Sequence, residues 1–89
     1  MSIKARSKVV EIDIELWDGT QKALDAINVF AGSENVRWHE VYCELQLWNY
    51  LEKQWITCPI GHYVLRGLKN EYYPCEPGAF FMKYDIIDD

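Results

Sequence analysis

The sequence predicts an α+β domain in which one helix packs on a mainly antiparallel, twisted β-sheet, in the order β-α-β-β-β-β. Three observations lead there. Apolar residues alternate with acids over residues 8–17, which is the period of a strand with one covered face. A single apolar stripe of helical period follows over 20–32. From residue 36 onward, short strand-like runs are punctuated by Gly, Pro and Asn. Segregated elements of this kind place a helix on one face of an antiparallel sheet.

In the first strand Val10, Ile12, Ile14 and Leu16 alternate with Glu11, Asp13 and Glu15, and Asp18-Gly19 closes it. The acids are expected on a solvated face. Thr20 is placed as a helix N-cap. Ala23, Leu24, Ile27, Phe30 and Ala31 recur at helical spacing, and Gly32 suits the position just past the end. The helix is expected to run for about 11 residues. Gln21, Lys22, Asp25 and Asn28 would face water, and the apolar stripe would pack on the Val10, Ile12, Ile14 and Leu16 face.

Residues 36–50 are read as one strand, with Val41, Cys43, Leu45 and Leu47 on the core face and Trp38, Glu40, Tyr42, Glu44, Gln46 and Trp48 on the other. Val41, Leu45 and Trp48 also fit a short helix; the strand is preferred. Residues 50–54 form a turn, 55–58 a short strand ended by Pro59, and 62–66 another strand. Gly67-Leu68-Lys69-Asn70 is a hairpin turn in which Gly67 or Asn70 takes a positive φ. Glu71 to Tyr73 returns, Pro74 and Pro77 fix a corner, and 81–87 is expected as the last strand. The surplus aromatics fall on the sheet face away from the helix.

The chain has 89 residues and reads as one domain, 1–89, with no internal repeat or linker. A domain this small buries only about 60–65% of the surface of its unfolded chain. Its stability must come from dense packing, a staple or assembly. Four Trp, six Tyr and three Phe supply the first of these. An aromatic face on so short a chain also points to a homo-oligomer. Three cysteines without a C-x-x-C pair argue against a zinc site and a disulfide framework, and fit a reducing compartment. Residues 1–8 are polar and basic with no apolar stretch after them, so no secretory leader is expected. There is also no run long enough to cross a membrane. Nine Lys and Arg against 14 Asp and Glu give a net charge of −5, a poor match to a nucleic-acid backbone.

No catalytic or metal motif emerges. His39 and His62 are the only histidines, and neither has a nucleophile or acid at a motif spacing. Cys75 lies between prolines beside Glu76, an environment that does not favour a thiolate, so a packing role is expected. Glu11, Asp13 and Glu15 lack the glycine-bearing loop of a calcium site. No enzyme activity and no cofactor are therefore expected. The constellation that stands out is Arg66, Lys69, Tyr72 and Tyr73 around one hairpin, with Arg37 and Trp38 as a second cation–aromatic pair. Arg and Lys can neutralise phosphates and a tyrosine face can stack on a base. The plainer alternative has Tyr72 and Tyr73 straddling the sheet and Arg66 paired with Glu71.

The same stretch carries a resemblance. Gly61, Tyr63, Val64, Leu65, Arg66, Gly67, Lys69, Glu71, Tyr72, Tyr73, Pro74, Cys75, Pro77, Phe80 (or Phe81) and Tyr84 follow the pattern G-x-[WY]-[IV]-x-R-G-x-K-x-E-[FY]-Y-P-C-x-P-x-x-F-x-x-x-Y. Lys8-Val9-Val10 and Trp17-Asp18-Gly19-Thr20 extend it to the other end of the chain. This resembles a widespread family of small tailed-phage proteins without assigned activity, with Tyr63 where the family usually has Trp. The resemblance implies a viral protein acting in the host cytoplasm. Joined to the hairpin residues, it leads to the expectation of counter-defence by sequestering a nucleotide-derived immune signal. The alternative is a protein that inhibits a host defence effector by direct contact, of the anti-CRISPR or nuclease-inhibitor type.

Overall fold

The computed structural model describes residues 3–6 and 11–87. Val10 of the sequence reading and the Lys8-Val9 pair lie outside these residues. Two antiparallel sheets and two helices make an α+β fold. The first sheet has five strands: β1 (Ile3–Arg6), β2 (Glu11–Leu16), β6 (Tyr63–Arg66), β7 (Tyr72–Cys75) and β8 (Asp85–Ile87), in the order β7-β6-β2-β1-β8. The second has three: β3 (Val36–His39), β4 (Glu44–Asn49) and β5 (Gln54–Cys58), in sequence order. Helix α1 is Gln21–Ala31, followed by a 3-10 turn at Ser33–Asn35, and α2 is Pro77–Lys83.

Helix α1 forms as its sequence dictates. Thr20 is extended, and its hydroxyl accepts the Ala23 N–H at 3.1 Å. The Thr20 N–H and hydroxyl both donate to Asp18 Oδ1, at 3.0 and 2.6 Å, and these bonds hold the Asp18 carboxyl below its ordinary pKa. Gly32 ends the helix at φ +86° with its N–H on the Asn28 carbonyl. The buried stripe is Ala23, Ile27, Phe30 and Ala31.

That stripe does not pack where expected. It joins Trp17, Leu45, Leu47, Cys58 and Val64 between the two sheets. Ile12 and Ile14 point the other way, into a second cluster with Ala5, Leu65 and Phe80. Both faces of β2 are therefore covered, and the solvated acidic face expected from alternation does not exist as such. Glu11 is exposed, but Asp13 is half-buried in an ion pair with Arg66, and Glu15 is only 8% exposed. Leu16, placed in the core by parity, is 41% exposed, and Trp17 takes its place inside.

The segment 36–50 is two strands, not one. Glu40 to Cys43 turn the chain back, with the Cys43 N–H on the Glu40 carbonyl and Cys43 at φ +50°. The turn pairs Val36 with Leu47 and Trp38 with Leu45, which reverses the parity expected of a single strand: Leu45 and Leu47 are buried, Trp38 lies on their side against Trp17 and not on the opposite face, and Val41 and Cys43 are exposed at the turn.

The last strand is also shorter than expected, because α2 occupies 77–83. Pro77 sits in its first turn, where a missing N–H is harmless and a fixed φ helps. Gly78 is a poor helix former, and seven residues cannot hold a helix by themselves. Burial decides the outcome. Phe80 is fully enclosed, stacked between Tyr63 at 4.6 Å and Tyr84 at 5.3 Å, over Ile12, Ile14 and Leu65. The aromatics do not all fall on the sheet face away from α1: Tyr63, Tyr73, Phe80 and Tyr84 gather there under α2, whereas Trp17, Phe30 and Tyr72 pack with α1 and Trp48 pairs with Trp55 on the second sheet. Strand β7 is an edge, which is why it accommodates Pro74 opposite Val64. No helix among the described residues is long and apolar enough to cross a membrane.

Candidate ligand-binding cleft

The β6–β7 hairpin closes as its turn residues require. The Gly67 N–H bonds the Glu71 carbonyl at 2.8 Å, and Asn70 adopts φ +60° with its N–H on the Gly67 carbonyl at 3.0 Å. The hairpin then sorts its side chains by alternation. Leu65 pairs with Tyr73 on the α2 side, and Arg66 pairs with Tyr72 on the α1 side.

Arg66 is an internal anchor. Its Nη1 meets Asp13 Oδ2 at 3.0 Å, its Nη2 donates to the Phe30 carbonyl at 2.7 Å, and its Nε donates to the Tyr72 hydroxyl at 3.2 Å. The guanidinium also lies 4.6 Å from the centroid of the Phe30 ring. The Phe30 carbonyl is one of those left open at the C-terminus of α1, where a cation is favoured. Asn35 Nδ2 closes the next one, on Ala31, at 2.8 Å. The ion pair runs to Asp13, on the neighbouring strand β2, and not to Glu71 across the hairpin. Tyr72 stands edge-on to Phe30, and its backbone carbonyl accepts from Asn49 Nδ2 at 3.2 Å, tying the two sheets together.

Arg37 and Trp38 lie elsewhere, on β3 in the second sheet. Arg37 stacks 4.0 Å over Trp55, which pairs with Trp48. Trp38 meets Trp17 edge-to-face at 5.7 Å. The six residues singled out in the sequence thus separate: Arg66 lies with Tyr72, Lys69 with Tyr73, and Arg37 and Trp38, expected as a cation–aromatic pair, point to opposite faces of β3 because they are neighbours on a strand.

Lys69 and Tyr73 meet at a cleft of about 400 Å³ on the α2 side of the hairpin. Ile12 and Tyr73 contribute to it from β2 and β7, and Tyr84 from just beyond α2. Leu68 and Lys69 come from the hairpin turn, and Leu51 from the turn between β4 and β5. Buried Asn49 holds that second turn: its Oδ1 accepts the N–H groups of Leu51 and Glu52 at 3.0 and 3.1 Å. The Tyr50 hydroxyl donates to the Lys69 carbonyl and joins the two turns. Glu71 completes the lining; its Oε2 accepts the Lys69 N–H at 3.2 Å, and its carboxylate lies where a β-carbon at position 67 would be.

Burial, together with neighbouring Tyr84 and Glu71, pushes the Tyr73 phenol up to about 12, so it is a neutral ring and hydroxyl at ordinary pH. Lys69 makes no ion pair with a described residue and supplies the cation of the cleft. A lining of two phenol rings, three aliphatic side chains, one ammonium and one carboxylate suits a planar ring that bears a polar or charged group. Lys69 and Tyr73, singled out in the sequence, both line this cleft. Leu51 was not singled out, because it joins through a turn contact about 20 residues away along the chain. Glu71 and Tyr84 belong to the sequence motif, but Glu71 joins Tyr73 through the alternation of the hairpin, and Tyr84 only because α2 folds over the sheet and Phe80 stacks on it.

No protein-family model, curated protein or solved structure matches this chain. Among the described residues, no group of three or more His, Cys, Asp or Glu converges as a metal site would require. The Cys75 thiol is pushed up by burial and packs beside the Ile12 cluster. His39 and His62 each have a buried Nδ1 with no hydrogen-bond partner.

Proposed function

We propose that this protein acts by non-catalytic binding, holding a nucleotide-derived signal in the Lys69–Tyr73 cleft, as a small phage protein that blunts host immunity. The observation that carries this reading is the cleft itself. Its volume of about 400 Å³ is that of a small-molecule site, and two tyrosines and a lysine converge on it. Tyr73 and Tyr84 stack on the base, and Lys69 neutralises phosphate. The site differs from the one the sequence suggested, since Arg66 and Tyr72 are spent on internal contacts. Sequestration needs no turnover, only affinity and stoichiometric protein. The phage origin rests on the C-terminal motif, and it sets the host cytoplasm as the place of action. A homo-oligomer would place further surface beside the cleft, where Leu68 is 74% exposed.

Isothermal titration with cyclic dinucleotides and ADP-ribose derivatives tests this. The expected result is saturable heat that Lys69→Ala and Tyr73→Ala each reduce. Absence of heat with every compound would dispose of the reading.

One observation favours direct inhibition of a host protein instead. At the β3–β4 turn Val41 is 82% and Tyr42 71% exposed, flanked by Glu40 and Glu44. An acidic, aromatic tip of this kind fits a basic protein surface.

A further inference from the structure

We propose that Glu71 makes the cleft selective for guanine, by accepting the paired N–H donors on that base's Watson–Crick edge. This rests on the nucleotide reading of the cleft and adds the identity of the base.

Three features point to it. Glu71 is the one carboxylate in the lining, and it is coupled to both neighbours there: its Oε2 accepts the Lys69 N–H, and its charge acts on the Tyr73 phenol. Its position is fixed in advance, because the Lys69 N–H holds Oε2 and the missing side chain at Gly67 leaves room for the carboxylate. Its acceptor capacity is largely unspent: an ionised carboxylate offers about four acceptor positions, and the Lys69 N–H uses one of them.

Guanine presents N1–H and the exocyclic amine side by side, two donors matched to the two oxygens of a carboxylate. Adenine presents one donor beside an acceptor nitrogen, whose lone pair a carboxylate repels. Glu71 would thus reward one purine and penalise the other, and the penalty gives discrimination that stacking alone cannot supply. Tyr73 and Tyr84 stack either purine without preference, because every base has a π-face. Lys69 acts on the phosphate and is equally indifferent to the base.

The test is isothermal titration of the full chain with cyclic di-GMP and cyclic di-AMP, for wild type, Glu71→Gln and Gly67→Ala. Gly67 has no positive φ, so alanine displaces the Glu71 carboxylate without straining the backbone. Hydrogen bonds to a charged group predict roughly tenfold to hundredfold tighter binding of the guanine ligand by wild type. Both variants should lose that preference, chiefly through weaker binding of cyclic di-GMP. Equal affinities for the two ligands in wild type, or a preference that survives both substitutions, would overturn the guanine assignment and leave the cleft as a general nucleotide site. Binding of neither ligand would overturn it as well; heat with ADP-ribose derivatives would then show that the cleft still takes a nucleotide.

Discussion

Replacing Arg66 separates an anchor from a ligand clamp. Arg66→Ala removes the ion pair to Asp13 at 3.0 Å, the bond to the Phe30 carbonyl at 2.7 Å, the bond to the Tyr72 hydroxyl at 3.2 Å and the stacking on Phe30. The ion pair is partly exposed, with 30% and 26% of the two side chains accessible, so it contributes below about 1 kcal/mol. The bond to a helix-terminal carbonyl from a charged donor is worth about 1.5–3 kcal/mol. The phenol bond and ring contact add about 0.5–1 kcal/mol each, and neighbouring terms do not sum fully. The expected loss is about 2–4 kcal/mol, against a total on the order of 4–13 kcal/mol for a chain of this length. In urea the midpoint should fall with an unchanged slope, and the thermal midpoint should drop by roughly 10–30 °C. Arg66→Lys, one point charge in place of a fork, should recover only part of the loss. A stability change under about 0.5 kcal/mol for Arg66→Ala, together with lost nucleotide binding, would refute the anchor and restore Arg66 to the ligand.

Phe80→Ala should cost about 3–5 kcal/mol, because the ring is fully enclosed between Tyr63 and Tyr84 and holds α2 on the sheet; circular dichroism during urea unfolding would show it. Burial raises the Glu15 carboxyl above 4.5, and its Oε1 has no hydrogen-bond partner. The folded pKa exceeds the unfolded one, so this group's contribution is full below about 4.5 and is lost as pH rises through the folded value. Wild-type stability should fall across the window just above pH 4.5, and Glu15→Gln should flatten that limb and equal or exceed wild type at pH 7 in urea titrations. Burial holds the Cys58 thiol up to about 12, whereas Cys43 is exposed at the β3–β4 turn. Iodoacetamide with mass spectrometry should therefore label Cys43 first and Cys58 only after unfolding.

Local signals in the sequence determined the parts of the fold that depend on near neighbours. Thr20 and Gly32 bound α1, Asn70 turns the β6–β7 hairpin, and the parity of Leu45 and Leu47 puts both in the core, because capping, positive φ and alternation act over a few residues. Lys69 and Tyr73 could be grouped from the sequence for the same reason, since both sit on that hairpin and line one cleft. What the tertiary structure alone decided is which face of each element is covered, and by what. The strand Glu11–Leu16 reads as one-sided, yet α1 and the second sheet cover the acidic side, so Asp13 meets Arg66 and Glu15 is buried. The segment Pro77–Lys83 has no helical strength of its own and becomes a helix because Phe80 finds an aromatic slot. The cleft draws on the β4–β5 turn, the β6–β7 turn and the residue after α2. Pairing distant segments is a matter of summed burial over the whole chain, and no short window of sequence contains that sum.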